Sequence, residues 1–248
     1  MMDKLLYISM SGAKENLNAT AVRANNLANA KTSGFKADIE QARSMQAYGE
    51  GMPTRVFSLT ERPAQNFDSG AMVTTGRDLD VAVQGEGWLV VESKDGSPAL
   101  SRAGSLQIDS EGMLRNSSGL LVMGDFGPIA VPTPIDKLQI GNDGVITVHP
   151  QGAPRNVIEE AGRLALVNPD KSELTKGTDG LFRLKDGGEF ENDAQVKVAS
   201  GMVEGSNVNT INEMVDLITL QRQFDTQVKM MKTAEEIDRS QDTLLRLT

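Results

Sequence analysis

With 248 residues, 39% of them hydrophobic, the chain has material for one large or two modest domains and a true core. Its formal charge of −9 argues against nucleic acid as a partner, because phosphate binding needs clustered Lys and Arg and the 25 basic residues here are scattered. Aromatics at only 4% and 24 glycines suit turn-rich β-structure better than an aromatic-lined pocket, and the absence of cysteine excludes disulfides, thiolate chemistry and cysteine zinc sites.

At the front of the chain, Leu6, Met10, Ala13, Leu17, Thr20, Ala24 and Leu27 step alternately by four and three. That is the a/d rhythm that keeps one stripe of a helix against a partner. Asp3 is placed to cap the start and Gly34 stands beyond the stop, which predicts a helix of roughly 40 Å. Ile8, Ala19 and Val22, with Gly12 among them, form a weaker stripe beside the first. One partner helix would therefore leave apolar surface in water, whereas several neighbours would cover it. The alternative is a long antiparallel hairpin closed within one molecule. The apolar run Leu5 to Ile8 is too short for a signal peptide and follows Asp3, so export would use a route other than a cleaved leader.

From Phe35 to about Thr75 the pattern is mixed and broken by Gly49, Gly51, Pro53 and Pro63, and it reads as a weak helix near Asp38 to Tyr48 followed by extended connections. From Asp80 onward β-signals dominate. Short strands are expected at Val81 to Val83, Trp88 to Val91, Ala99 to Arg102, Leu106 to Ile108, Met113 to Arg115, Leu138 to Ile140, Val145 to Val148, Arg163 to Val167, Leu181 to Leu184 and Val196 to Val203. Turns such as Asp109-Ser110-Glu111-Gly112 and Asn142-Asp143-Gly144 separate them, which points to an antiparallel sheet or irregular barrel.

Little in this middle carries chemistry. His149 is the only histidine and lacks a Ser and an acid at any triad spacing. Asp109, Glu111, Asp143, Asp179 and Glu189 mostly lie beside glycines in turns, where Asp bonds its own backbone. Gly85-Glu86-Gly87 lacks the third glycine and the helix of a dinucleotide fingerprint and reads as a tight turn before Trp88. Residues 170–180 lack the ligand ladder of a calcium loop. The expectation is a protein that is not an enzyme, with no cofactor, metal or small-molecule substrate.

At the back, Ile211, Met214 and Ile218 lead into Phe224, Val228, Met231, Ile237 and Leu244 in a run without Pro or Gly from about Thr210. Thr210 and Glu213 have the spacing of a capping box, and the helix would span roughly 55 Å. The fold class is thus α+β: long N- and C-terminal helices forming a coiled-coil-like domain, with an inserted, mainly antiparallel β-domain.

The stretch Asn25-Asn26-Leu27-Ala28-Asn29-Ala30-Lys31-Thr32-Ser33-Gly34-Phe35-Lys36 closely resembles the signature that closes the N-terminal helix of the flagellar rod and hook protein family. The resemblance continues through residues 76–88 (Gly76 to Trp88), Ser101-Arg102-Ala103-Gly104 and Gly112-Met113-Leu114. It ends in Glu204-Gly205-Ser206-Asn207-Val208-Asn209, Glu213-Met214 and Gln221-Arg222-Gln223-Phe224, and so covers essentially the whole chain. Met2-Asp3, Gly87-Trp88 and residues 127–132 favour the proximal rod members, with the distal rod and hook members as the alternative and a stand-alone β-domain binding module as a more remote one.

The resemblance implies a structural subunit of the basal-body rod within the periplasm, exported unfolded by the flagellar type III apparatus. Its partners would be other copies of itself and other proximal and distal rod subunits. The implied layout is an N-terminal assembly helix over residues 1–34, a connecting segment with extended structure over 35–79, a β-rich outer domain over 80–203 and a C-terminal assembly helix over 204–248. Expected assembly contacts are Leu6, Met10, Leu17, Ala24, Leu27, Ile218, Phe224, Val228 and Met231. Asn25, Asn26 and Asn29 are either cross-subunit bonds or simple helix stops.

Overall fold

The computed structural model describes residues 3–46, 56–152, 154 and 158–246. The chain is α+β and divides into two compact units, one of residues 1–30, 37–66 and 208–248, the other of residues 31–36 and 67–207.

The first unit is built on two helices, α1 (Asp3–Ala28) and α2 (Thr210–Arg246). Their 26 and 37 residues correspond to about 39 and 55 Å. The two run antiparallel: Arg23 meets Glu213 and Asp216, whereas the Gln227 amide lies over Gly12, near the other end of α1. On α1 the covered face is Ser9, Ala13, Thr20 and Arg23; on α2 it is Glu213, Leu217, Leu220, Phe224, Gln227, Met231 and Ala234, again stepping by four and three. The start of α2 is capped by Asn209, whose Oδ1 accepts the N–H groups of Ile211 at 3.1 Å and Asn212 at 3.2 Å. This corrects the expected Thr210–Glu213 capping box. Asn caps at least as well as Thr, and the Glu213 carboxylate is occupied by Arg23.

The expected weak helix at Asp38 to Tyr48 is instead a strand, Asp38–Gln46, paired antiparallel with Val56–Gln65; Ala47 and Tyr48 lie outside the described residues. Helix propensity here is too weak to resist a ten-residue partner. The register slips between Ile39 and Gln41, opposite Arg62 and Pro63, so the proline that lacks an N–H falls at the bulge and costs the ladder nothing.

The second unit is β-rich. One sheet orders Leu174–Lys176, Phe182–Leu184, Pro98–Ser101, Trp88–Glu92, Leu121–Gly124, Leu114–Asn116 and Leu106–Ile108, with Gly127–Pro128 and Leu166–Val167 added to its members. A three-stranded sheet joins Ile135–Ile140, Val145–Pro150 and Glu159–Arg163. All pairings are antiparallel. The expected strand Val196 to Val203 is two, Lys197–Ser200 on Val81–Gln84 and Met202–Glu204 on Met72–Thr74. It breaks at Gly201, whose N–H goes to Asp80 and whose carbonyl accepts Thr75 and Gly76.

The core follows from alternation: in Val145–Pro150, Ile146 and Val148 point inward to meet Val81, Leu89, Leu106, Leu114, Val122 and Leu164. Trp88 anchors a second cluster with Leu100 and Phe182, its ring centroid 4.6 Å from that of Phe182. It is a core residue.

Candidate assembly interface

The α1 face turned to α2 shares Ala13 and Thr20 with the strongest apolar rhythm but not its larger side chains. Along α1 the side chains against α2 are small or polar, and the larger apolar ones, Leu6, Met10 and Leu17, are 41%, 50% and 54% exposed. Ala24 is exposed with them, Ala13 is buried and Leu27 is half-buried. On α2, Ile218 is 55% exposed, while Phe224, Val228 and Met231 are half-buried toward the seam. The structure therefore divides the expected contact residues into an open set (Leu6, Met10, Leu17, Ala24, Ile218) and a set already engaged within the chain.

The weaker stripe, Ile8, Ala19 and Val22, is half-buried. Ala19 lines a cavity of about 260 Å³ with Glu40 of the hairpin and Thr219 and Leu220 of α2, so this flank of α1 is covered by its own chain. Sequence reading missed the breadth of the open surface on α2. Ile211, Met214 and Val215 are exposed alongside Ile218. Ile211 and Met214 stood in the apolar run, but nothing in spacing alone separated the outward stripe from the inward one.

The three asparagines part company. Asn25 is exposed, and its carbonyl accepts the Asn29 side chain at 2.9 Å. Asn26 is completely buried: its Nδ2 donates to the Asp38 carbonyl at 2.9 Å and to Glu213 at 3.3 Å, and its Oδ1 accepts the Asp38 N–H at 2.9 Å. Arg23 reaches Glu213 at 3.1 Å and Asp216 at 3.4 Å. One amide thus joins the end of α1, the first strand and the first turn of α2.

In the β-rich unit, Lys36 and Arg102 both lie 2.8 Å from Glu204, and all three are buried. Arg102 also donates to the Gly85 carbonyl at 2.7 Å and stacks 5.3 Å from the Trp88 ring. Burial pulls the Lys36 amine below its ordinary value, and the Glu204 hydrogen bond opposes that shift. Two glycines make the approach possible. A Cβ on Gly34, which sits at φ +70°, would come 2.2 Å from the Arg102 carbonyl carbon, and one on Gly104 would come 1.7 Å from the Val81 oxygen.

Comparison with known proteins places these features. Residues 6–36 match the model of the flagella basal body rod protein, residues 82–148 that of the flagellar hook protein FlgE/F/G D1 domain, and residues 199–244 that of the flagellar basal body rod FlgEFG protein C-terminal region. The chain is 39% identical over 241 residues to the flagellar basal-body rod protein FlgF of Escherichia coli K12, covering 95% of each chain. It is 36% identical over 253 residues to FlgF of Salmonella typhimurium LT2, covering both chains fully. The rod protein FlgG of Agrobacterium fabrum is 28% identical over 257 residues, 94% of this chain and 96% of that one.

The chain belongs to the flagellar basal-body rod protein FlgF family. As a FlgF-family member it is a structural subunit of the basal-body rod and not an enzyme. The three members of the ion cluster fall in the three matched segments. Lys36 is the last residue of the N-terminal match, Arg102 lies in the central match and Glu204 lies near the start of the C-terminal one. Three segments far apart in sequence meet at one buried carboxylate.

Elsewhere in the β-rich unit, carboxylates shape turns. The Arg115 guanidinium, 2.7 Å away, and the N–H groups of Met113 and Glu111 hold Asp109 below the usual carboxylate range; Arg183 and the Leu181 N–H do the same for Asp179. A carboxylate whose folded value is depressed adds stability that is complete above its unfolded value of about 4 and is lost as pH falls through the lower folded value. Calorimetry should therefore show the unfolding midpoint of this FlgF-family protein falling below about pH 4. Asp109→Asn should flatten part of that fall; an equally steep acid limb in the variant would remove Asp109 from the account.

Proposed function

We propose that this chain polymerises through its terminal helices into the torque-transmitting rod, docking by the open stripe of Leu6, Met10, Leu17 and Ala24 on α1 and by Ile218 with its neighbours on α2. Its partners are other copies and other proximal and distal rod subunits. It reaches the periplasm through the flagellar type III apparatus. In the rod the helices pack in a coiled-coil-like inner tube, and the β-rich body, residues 80–203, forms the outer layer.

The observation that carries this reading is the apolar surface left open after α1 and α2 have paired. Burying a Leu, Ile or Met fully is worth about 1.5–3 kcal/mol, so side chains already half covered gain roughly 1 kcal/mol each. Association costs about 4–15 kcal/mol in lost freedom and ordering. Four such residues barely reach the lower limit. A single contact is weak, and a copy is held firmly only when several neighbours cover several faces, as in a polymer.

The absence of cysteine permits a direct test. Leu17→Cys and Ile218→Cys variants, treated with a bifunctional thiol reagent, are expected to cross-link to neighbouring subunits in isolated basal bodies and to remain single chains in dilute purified protein. Failure to form any inter-chain product in intact basal bodies would sink the reading.

A further inference from the structure

We infer that Glu204 is the pin of a lock that makes the chain passages into and out of the β-rich unit behave as one element. That unit comprises residues 31–36 and 67–207, so the backbone crosses its limits beside residues 31, 36, 67 and 207. Residues around three of these points converge on Glu204. Its Oε1 accepts Lys36 Nζ at 2.8 Å and the Gly70 N–H at 2.9 Å, its Oε2 accepts Arg102 at 2.8 Å, and its carbonyl accepts the Gly34 N–H at 2.8 Å.

The passages are also tied to one another. Lys36 Nζ and Asn207 Nδ2 both donate to the Asp68 carbonyl, at 2.8 and 3.0 Å. The Asn207 N–H donates to the Phe35 carbonyl at 3.3 Å, and the Gly205 N–H to the Ala71 carbonyl at 2.8 Å. Lys176 donates to the Lys36 carbonyl at 2.9 Å and stands 4.3 Å over the Phe35 ring.

A buried carboxylate between two cations is stable only while its hydrogen bonds are all made, because each lost bond leaves desolvated charge behind. The cluster therefore opens as a whole, and a pull on one passage is resisted by the other two. Where the chain carries load in a rod, which rests on the function proposed above, this lock keeps force from peeling one passage at a time off the β-rich body.

Hydrogen exchange on the purified full-length chain tests the lock without reference to rod assembly. In Glu204→Gln, the amides of Gly34, Gly205 and Asn207, of which only Gly34 bonds Glu204 at all and then only its backbone, are expected to exchange at least tenfold faster together. The Val90 and Leu114 amides, bonded to Ala165 and Ile129 in the core, keep their rates. Lys36→Met, which leaves the Arg102–Glu204 pair in place, should accelerate the same three amides by a smaller factor. Should Glu204→Gln not fold, Lys36→Met decides alone. Acceleration confined to Gly70 or to the Gly34 side, a uniform rise that includes Val90 and Leu114, or no change would each overturn the lock.

Discussion

Replacing Leu17 with Asp is expected to abolish rod incorporation and swimming while leaving the soluble chain folded. Leu17 is 54% exposed, so the free chain loses little packing. Asp in a helix interior and an ordinary surface substitution each cost only about 0.5–0.7 kcal/mol. Docked against a neighbour, the same carboxylate would sit unpaired in an apolar contact, where an isolated charge costs several kcal/mol, roughly the whole gain available from the stripe. Circular dichroism and the unfolding midpoint of Leu17→Asp should stay close to those of the parent, while purified basal bodies from the variant lack the subunit and the cells do not swim. Leu17→Ala, which only trims the contact, should incorporate at a reduced level. Normal motility in the Asp variant would separate this stripe from assembly.

How far the sequence reveals this arrangement depends on the range of the interaction. The helix ends and most strands of the β-rich unit were legible, because period and turn chemistry act over a few residues: the strand Leu106–Ile108 and the turn that follows it stand where alternation and Asp109-Ser110-Glu111-Gly112 put them. The strand Asp38–Gln46 was not, since only its pairing with Val56–Gln65 overrides a sequence of mixed preference. The α1 rhythm divides between two partners. Leu6, Met10 and Leu17, expected as assembly contacts, are exposed, whereas Ala13 and Thr20 of the same rhythm lie with Ser9 on the face that α2 takes. Periodicity says that a stripe needs a partner and cannot say which partner. The ion cluster was hidden for a related reason: Lys36 and Glu204 are separated by 168 positions and Arg102 and Glu204 by 102, so no local spacing joins them.

Asn25 and Asn26 give the sharpest test of that distinction, because they are adjacent in one signature and differ only in surroundings. Asn26→Ala removes two hydrogen bonds to the Asp38 backbone and one to Glu213. At about 1 kcal/mol per hydrogen bond, with a small cavity added, the loss is expected to be roughly 2–4 kcal/mol. Asn25→Ala, at an exposed position, should change stability by no more than about 0.5 kcal/mol. Denaturant titration of the two variants separates them: a midpoint lowered clearly in Asn26→Ala alone places the Asn26 amide inside the molecule as the tie between α1, the first strand and α2. The Arg23–Glu213 contact survives in the variant, so helix pairing should weaken without vanishing. Equal and small effects at both positions would mean that the amide's bonds to Asp38 are not what hold the strand against the helix, and Asn26 would return to the set of candidates for contact between subunits.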